Sequence, residues 1–130
     1  MAYFKARVGS SGGTETPTLL WTNPNPTSNL STAVSITASK AEYPFIIIQL
    51  KRTSAANSAY IIGCIDRNNT SGNGDNGVVS GGYSRLITFT DSGLTFSNLG
   101  AGIGSTNVGA AYGIPVKVWG MKSVPYNISI

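Results

Sequence analysis

Apolar residues in this 130-residue chain occur in short alternating runs and lack the 3.6-residue period of a helix. Ala33–Ala38 and Tyr83–Thr90 alternate with a period of two, with Ile87 and Phe89 on one face, which is typical of half-buried strands. Pro44–Lys51 begins as a continuous apolar run and then alternates, as expected of a central strand buried on both faces at its start.

Residues that favour turns separate these strands from four more. The further predicted strands are Thr18–Trp21, Ser58–Asp66, Leu94–Ser97 and Ile114–Met121. About seven to eight short strands without a helix predict an all-β fold, either an antiparallel β-sandwich or a jelly-roll-like barrel. The length fits one domain, which we place at residues 17–130, after an N-terminal arm or linker at residues 1–16.

Two long Gly-rich and polar segments, Arg67–Gly82 and Leu99–Gly113, interrupt the strand pattern and are predicted to be loops. Rigid β scaffolds commonly present such loops for recognition. Any binding function is therefore expected to depend on these segments.

The amino-acid composition limits the kinds of partner that the chain is expected to bind. Hydrophobic residues make up 41% of the chain, which excludes disorder, whereas only 11% of residues are charged. The nine basic residues give a net charge of +4 but are scattered, so no nucleic-acid surface is predicted. No apolar run is long enough for a membrane span or a signal peptide, and we expect synthesis in a cytoplasm without membrane insertion.

The sequence predicts neither an enzyme nor a cofactor site. The chain has no histidine, and its five acidic residues are far apart along the sequence. Asn73–Gly77 resembles a calcium loop in composition, but Asp75 is its one carboxylate, so no metal site is predicted. The single cysteine, Cys64, lies in an apolar run and is expected to be a buried, inert thiol.

Tyr83 and Tyr112 each adjoin one of the Gly-rich segments, where a ring face could stack on a sugar. Hydroxyl groups of a sugar would be bound by nearby amide, carboxylate and guanidinium groups. The candidate glycan-binding residues are Asn73, Asp75, Asn76, Tyr83, Arg85 and Tyr112. A tyrosine at the rim of the fold with no ligand is the alternative interpretation.

Trp21 and Trp119 end the first and last predicted strands of the domain. Tryptophans in strands pack more often than they bind ligands. We therefore expect both rings in or beside the same packed layer.

Three segments, Leu20–Ser28, Tyr43–Lys51 and Ile114–Gly120, together resemble small β-domains of bacteriophage and prophage tails. Their sequences here are LWTNPNPTS, YPFIIIQLK and IPVKVWG. Such domains are described as tail-fibre, baseplate or receptor-binding modules, typically trimeric, and many bind host-surface glycans. The resemblance implies a homotrimer in the virion tail, made in a bacterial host cytoplasm and contacting other virion proteins.

The leading hypothesis is thus a tail-associated structural or receptor-binding module that displays loops to a host-surface glycan. One alternative is a purely structural protein of capsid or tail assembly or decoration. Another is a glycan-degrading enzyme, which the lack of histidine and the scattered acidic residues disfavour.

Overall fold

The computed structural model describes residues 15–69, 74–80, 82–102 and 108–124. These residues form nine strands and a single 3-10 turn at Arg67–Asn69. The strands are β1 Thr18–Thr22, β2 Val34–Thr37, β3 Phe45–Thr53, β4 Tyr60–Asp66, β5 Gly74–Ser80, β6 Tyr83–Phe89, β7 Gly93–Gly102, β8 Val108–Gly109 and β9 Tyr112–Met121.

The strands form two sheets in which every pairing is antiparallel. The first sheet has the order β1-β9-β3-β4, and the second has the order β2-β7-β6-β5, with β8 added to β7. The prediction of an all-β antiparallel sandwich is confirmed. Of the two predicted architectures, the sandwich is the one found in the described residues.

The core lies between the sheets and follows the predicted alternation. From β3, Ile46, Ile48 and Leu50 point inward with no exposed surface. From β6, Ile87 and Phe89 are buried while the preceding Leu86 is exposed, so the predicted inward face of this strand is confirmed. Burial of each such side chain stabilises the fold by about 1.5–3 kcal/mol.

Both predicted loops contain strands, which corrects the sequence prediction. β5 occupies Gly74–Ser80 within the first segment and pairs with β6 along its whole length. β7 continues to Gly102 within the second segment. An edge strand such as β5 is held by main-chain hydrogen bonds to one neighbour, so it can form without an alternating apolar pattern.

The sandwich has two distinct ends. One end, which we call the terminal pole, contains the start of β1, the end of β9 and the turn between β6 and β7. Pro44 receives a hydrogen bond from Arg67 there, so β3 begins at the same pole. At the opposite end, the loop pole, β3 ends at Thr53, opposite Tyr112 at the start of β9, and β6 begins at Tyr83. The nine residues of β3 separate the poles by roughly 30 Å.

Glu15 ties the entry of the described chain to its exit at the terminal pole. Its carboxylate accepts hydrogen bonds from the Lys122 N–H at 2.8 Å and from the N–H and hydroxyl of Ser123, both at 2.9 Å. Residues 1–14 and 125–130 therefore connect to the fold at the same pole.

The Glu15 contact predicts a loss of stability in acid. Burial raises the pKa of this carboxyl, but the hydrogen bonds from Lys122 and Ser123 outweigh it and hold the pKa below the ordinary 4.5. The stabilisation is complete above the unfolded-state pKa and is lost as the pH falls through the lower folded-state value. Denaturant unfolding between pH 6 and 3 should show this fall in the parent and a smaller fall in Glu15→Gln. Identical pH profiles for the two proteins would contradict the assignment.

The two tryptophans point to opposite faces of the first sheet. Trp21 packs against the core, with its ring centroid 6.0 Å from that of Phe96. Trp119 lies in register with Leu19 and Ile47, one residue from the buried Val118, and so faces away from the second sheet. Only Trp21 therefore lies in the packed layer between the sheets, and the prediction of a shared layer is wrong for Trp119.

This difference predicts unequal effects of truncation. Trp21→Ala should lower the free energy of unfolding by about 3 kcal/mol, because it leaves a cavity against Phe96. Trp119→Ala should lower it by about 1 kcal/mol, because the ring is half-exposed on the outer face of the sheet. Equal losses for the two variants, measured by denaturant unfolding, would show that this assignment of faces is wrong.

Cys64 is exposed, in contrast to the buried thiol that the apolar run predicted. It lies on β4, which is an edge strand of the first sheet and has a neighbour on one side in that sheet. Partial desolvation and the nearby Asp66 raise the pKa of the thiol, which is therefore protonated at neutral pH.

Candidate functional site

The structure separates the candidate residues of the first Gly-rich segment from Tyr83. Asp75 and Asn76 lie on β5 opposite Thr88 and Ile87, whereas Tyr83 is opposite Ser80. Five residues of extended strand place Asp75 roughly 17 Å from the position opposite Tyr83. Asn73 lies outside the described residues. Asp75 is therefore not beside Tyr83, as the predicted cluster requires.

Arg85 is a structural residue, which corrects its assignment as a ligand donor. Its side chain has no exposed surface. Its guanidinium donates five hydrogen bonds of 2.6–3.0 Å to main-chain carbonyl oxygens. The acceptors are Leu30, Ser97, Ala110, Tyr112 and Gly113. Arg85 thereby joins both sheets and the β1–β2 connection at the loop pole.

Burial lowers the pKa of Arg85 to about 10, which is still well above neutral. The guanidinium is therefore charged at pH 7, and the five carbonyl dipoles compensate for its lost hydration. Arg67 has a similar role at the terminal pole, where it donates to the carbonyls of Ala38, Tyr43 and Thr90 at 2.7–3.0 Å. A buried arginine thus closes each end of the sandwich.

The structure brings the side chains of two candidate residues, Tyr83 and Tyr112, together. Their rings are stacked, with centroids 4.8 Å apart and planes 20° from parallel. Each is half-buried, so part of the pair is open to solvent at the loop pole. The mutual stacking occupies one face of each ring and holds the pair in a fixed orientation.

An open cleft of about 420 Å³ lies on the β3–β4 hairpin at the loop pole. Its lining residues are Arg52, Ala55, Ala56, Asn57, Ser58 and Tyr60. Tyr60 leaves 53% of its surface exposed, and Arg52 is also exposed. Within the described part of the chain, no ion pair or hydrogen bond engages the side chain of Arg52, Asn57 or Tyr60. Their polar groups are therefore available to a ligand.

The backbone of the cleft is held by the neighbouring loops. The Ser54 N–H donates to the Ala111 carbonyl at 2.8 Å, and its hydroxyl donates to Asn29 at 2.8 Å. The buried Lys51 ammonium donates to the carbonyls of Pro26 and Ser54 at 2.9 and 3.0 Å. These contacts order the hairpin before a ligand arrives, which lowers the entropic cost of binding.

Charge is divided between the two poles. Glu15, Glu42, Asp66 and Asp91 lie at the terminal pole, and Asp75 lies opposite Thr88 in the adjacent part of the second sheet. These five are all the acidic residues of the chain. The loop pole carries Lys51, Arg52 and Arg85 with no carboxylate side chain. Its electrostatic potential is therefore expected to be positive.

The lining of the cleft supplies groups that can bind a ligand. No three Cys, Asp or Glu residues among them are grouped in a way that could hold a metal ion. The polar side-chain groups that line the cleft are the guanidinium of Arg52, the phenol of Tyr60, the amide of Asn57 and the hydroxyl of Ser58. These can donate and accept hydrogen bonds and stack on a ring.

No helix in the described ranges is long and apolar enough to cross a membrane.

Comparison with known proteins found no matching family model, no matching curated protein and no matching solved structure. The functional interpretation therefore depends on the residues and geometry of this chain.

Sequence reasoning missed Arg52, Asn57 and Tyr60 as candidate residues. The signal was present, because Arg52 directly follows the predicted strand Pro44–Lys51 and Tyr60 lies near the start of the next one, Ser58–Asp66. The two side chains therefore meet at one end of the hairpin. The longer Gly-rich segments, each with an adjoining tyrosine, carry a stronger sequence signal than this shorter turn.

Proposed function

We propose that this chain is a non-catalytic recognition module of a bacteriophage or prophage tail. It is attached through its terminal pole and displays its loop pole to a host-surface glycan. The observation that carries the proposal is the position of the open Arg52–Tyr60 cleft, at the opposite pole from the site where Glu15 ties together the entry and exit of the chain.

This geometry suits display. Glu15 and Ser123, the residues through which the described fold continues toward a neighbouring protein, lie roughly 30 Å from the cleft, so attachment at that pole leaves the cleft accessible. The stacked Tyr83–Tyr112 pair lies at the same pole as the cleft, because Tyr112 is opposite Thr53 at the end of β3. Two aromatic surfaces at one pole fit an extended glycan, whose successive sugar rings have apolar faces.

Binding to a printed array of bacterial surface polysaccharides tests this proposal. We expect the purified chain to bind at least one glycan, and the double variant Tyr60→Ala/Tyr83→Ala to lose at least tenfold in apparent affinity. The matched control is the terminal-pole double variant Thr37→Ala/Lys40→Ala, which should bind like the parent. Absence of binding to every glycan, or equal losses in the two variants, would contradict the proposal.

A second candidate function, structural assembly, is favoured by the outer face of the first sheet. Leu19 and Ile61 are 52% and 64% exposed on this face, and Ile47 and Trp119 lie between them half-buried. Apolar surface of this kind marks protein interaction sites. We propose that it is covered in a homotrimer.

Light scattering at micromolar concentration should then give about three times the 13.5 kDa chain mass. Leu19→Lys should shift the mass toward the monomer, because it places a charge in the covered surface. Leu99→Lys is the matched control, since Leu99 is 47% exposed but belongs to the second sheet. A monomer mass for the parent would contradict the trimer.

A further inference from the structure

The charge and lining of the hairpin cleft point to an acidic ligand. We propose that the Arg52–Tyr60 cleft binds a carboxylated sugar unit, with its carboxylate on the Arg52 guanidinium and its ring against Tyr60. This inference rests on the proposed function and narrows it from glycans in general to acidic glycans.

Arg52 is suited to bind a carboxylate because its guanidinium is exposed and has no carboxylate partner in the described ranges. A planar guanidinium binds a carboxylate through two parallel hydrogen bonds. The exposed Lys122 and the half-buried Lys40 lie at the terminal pole, near the acidic residues.

The charge distribution adds a long-range contribution. An anion approaching the loop pole meets the exposed Arg52, with the buried charges of Lys51 and Arg85 behind it and no carboxylate side chain nearby, whereas the terminal pole carries four carboxylates beside its cations. The pole of the molecule that carries the cleft is thus also the one that attracts anions.

The remaining lining residues favour a sugar over other anions. Tyr60 exposes half of its surface beside Arg52, and the exposed side chains of Asn57 and Ser58 present an amide and a hydroxyl. Amide and hydroxyl groups both donate and accept, as sugar hydroxyls require. A nucleic acid would need several clustered cations along its phosphates, and Arg52 is the one exposed cation among the lining residues of the cleft.

The test is titration of the full chain with four polymers: alginate, neutral dextran, poly-glutamate and single-stranded DNA. We expect the tightest binding to alginate, weakened by raising the salt concentration. Arg52→Gln should lose about tenfold in alginate affinity, the equivalent of one charged hydrogen bond. Arg52→Lys should recover part of that loss, since it keeps the charge without the planar fork.

Lys40→Gln is the charge-matched control and should bind alginate within twofold of the parent. Equal binding of poly-glutamate or DNA, or equal losses in Arg52→Gln and Lys40→Gln, would show simple electrostatic attraction and overturn the inference. Binding of dextran as tightly as alginate would overturn the acidic preference and leave the proposed glycan function intact. Binding of glycans on the array, but not of alginate, would also overturn the carboxylate inference. Absence of binding to every polysaccharide here and on the array would instead contradict the proposed function itself.

Discussion

Arg85→Met is expected to leave the protein without a stable fold. The substitution removes one buried guanidinium and leaves up to five main-chain carbonyl groups without their donor. Each unsatisfied buried polar group costs about 1–3 kcal/mol, and a total loss of about 5 kcal/mol matches the whole stability of many domains. Circular dichroism and denaturant unfolding of the purified variant measure this loss.

Two further variants separate this effect from a simple loss of charge. Arg85→Lys keeps the charge but cannot reach five acceptors, so it should remain strongly destabilised. Arg52→Met removes an exposed arginine and should change the unfolding free energy by less than about 0.5 kcal/mol. A folded Arg85→Met protein with nearly the stability of the parent would show that Arg85 does not close the loop pole.

Gly100→Ala is expected to produce the second largest loss, about 3 kcal/mol or more. A Cβ atom at this position would overlap the Tyr112 carbonyl oxygen and lie 2.7 Å from that of Ser84. Both contacts are with backbone, so the two sheets would have to separate where Arg85 joins them. The melting temperature and the unfolding free energy both report the change.

Gly63 provides the matched control for this substitution. A Cβ at Gly63 meets nothing within 4 Å, so Gly63→Ala should be neutral or slightly stabilising in its strand. Gly113→Ala should behave like Gly100→Ala, because Gly113 has a φ of 57° and its Cβ would lie 2.6 Å from the Ser84 oxygen. Similar stability of Gly100→Ala and Gly63→Ala would contradict the close contact between the sheets.

The sequence predicted the strands whose apolar residues alternate and missed those formed by pairing alone. β3 and β6 bury apolar side chains at alternate positions, Ile46, Ile48 and Leu50 in β3 and Ile87 and Phe89 in β6, so burial of one face identifies them. β5 carries Gly, Asp and Asn, and it is a strand because β6 lies beside it. Pairing between segments is a tertiary property that a local pattern does not contain.

Arg85 shows how a residue pattern can be present and still be misinterpreted. It occupies the same face of β6 as Ile87 and Phe89, so alternation alone places its side chain inward. A charged guanidinium is normally more stable in water than in a protein core, which led to its prediction as a surface residue. Here five carbonyl acceptors replace the lost water, so the buried position is favourable. Those acceptors lie up to 55 residues away, on segments whose proximity depends on the sheet order.

The two poles could not be predicted from the sequence, because charge separation depends on strand direction. Glu42, Asp66 and Asp91 are spread over 50 residues and meet at one end because each lies where the chain reaches the terminal pole. The hairpin with Arg52 and Tyr60 turns at the other end. Once the pairing of the strands is known, the position of each charged residue along its strand assigns that residue to one pole.

The most direct test of a ligand-binding loop pole is the footprint of a bound glycan on the chain. Amide chemical shifts should be followed by NMR during titration with alginate oligosaccharides, or with another glycan that binds on the array. The account predicts that the largest shifts fall on Arg52–Tyr60, with smaller ones at Tyr83 and Tyr112. The largest shifts at the terminal pole around Glu15 and Ser123, or on the outer face around Trp119, would contradict it.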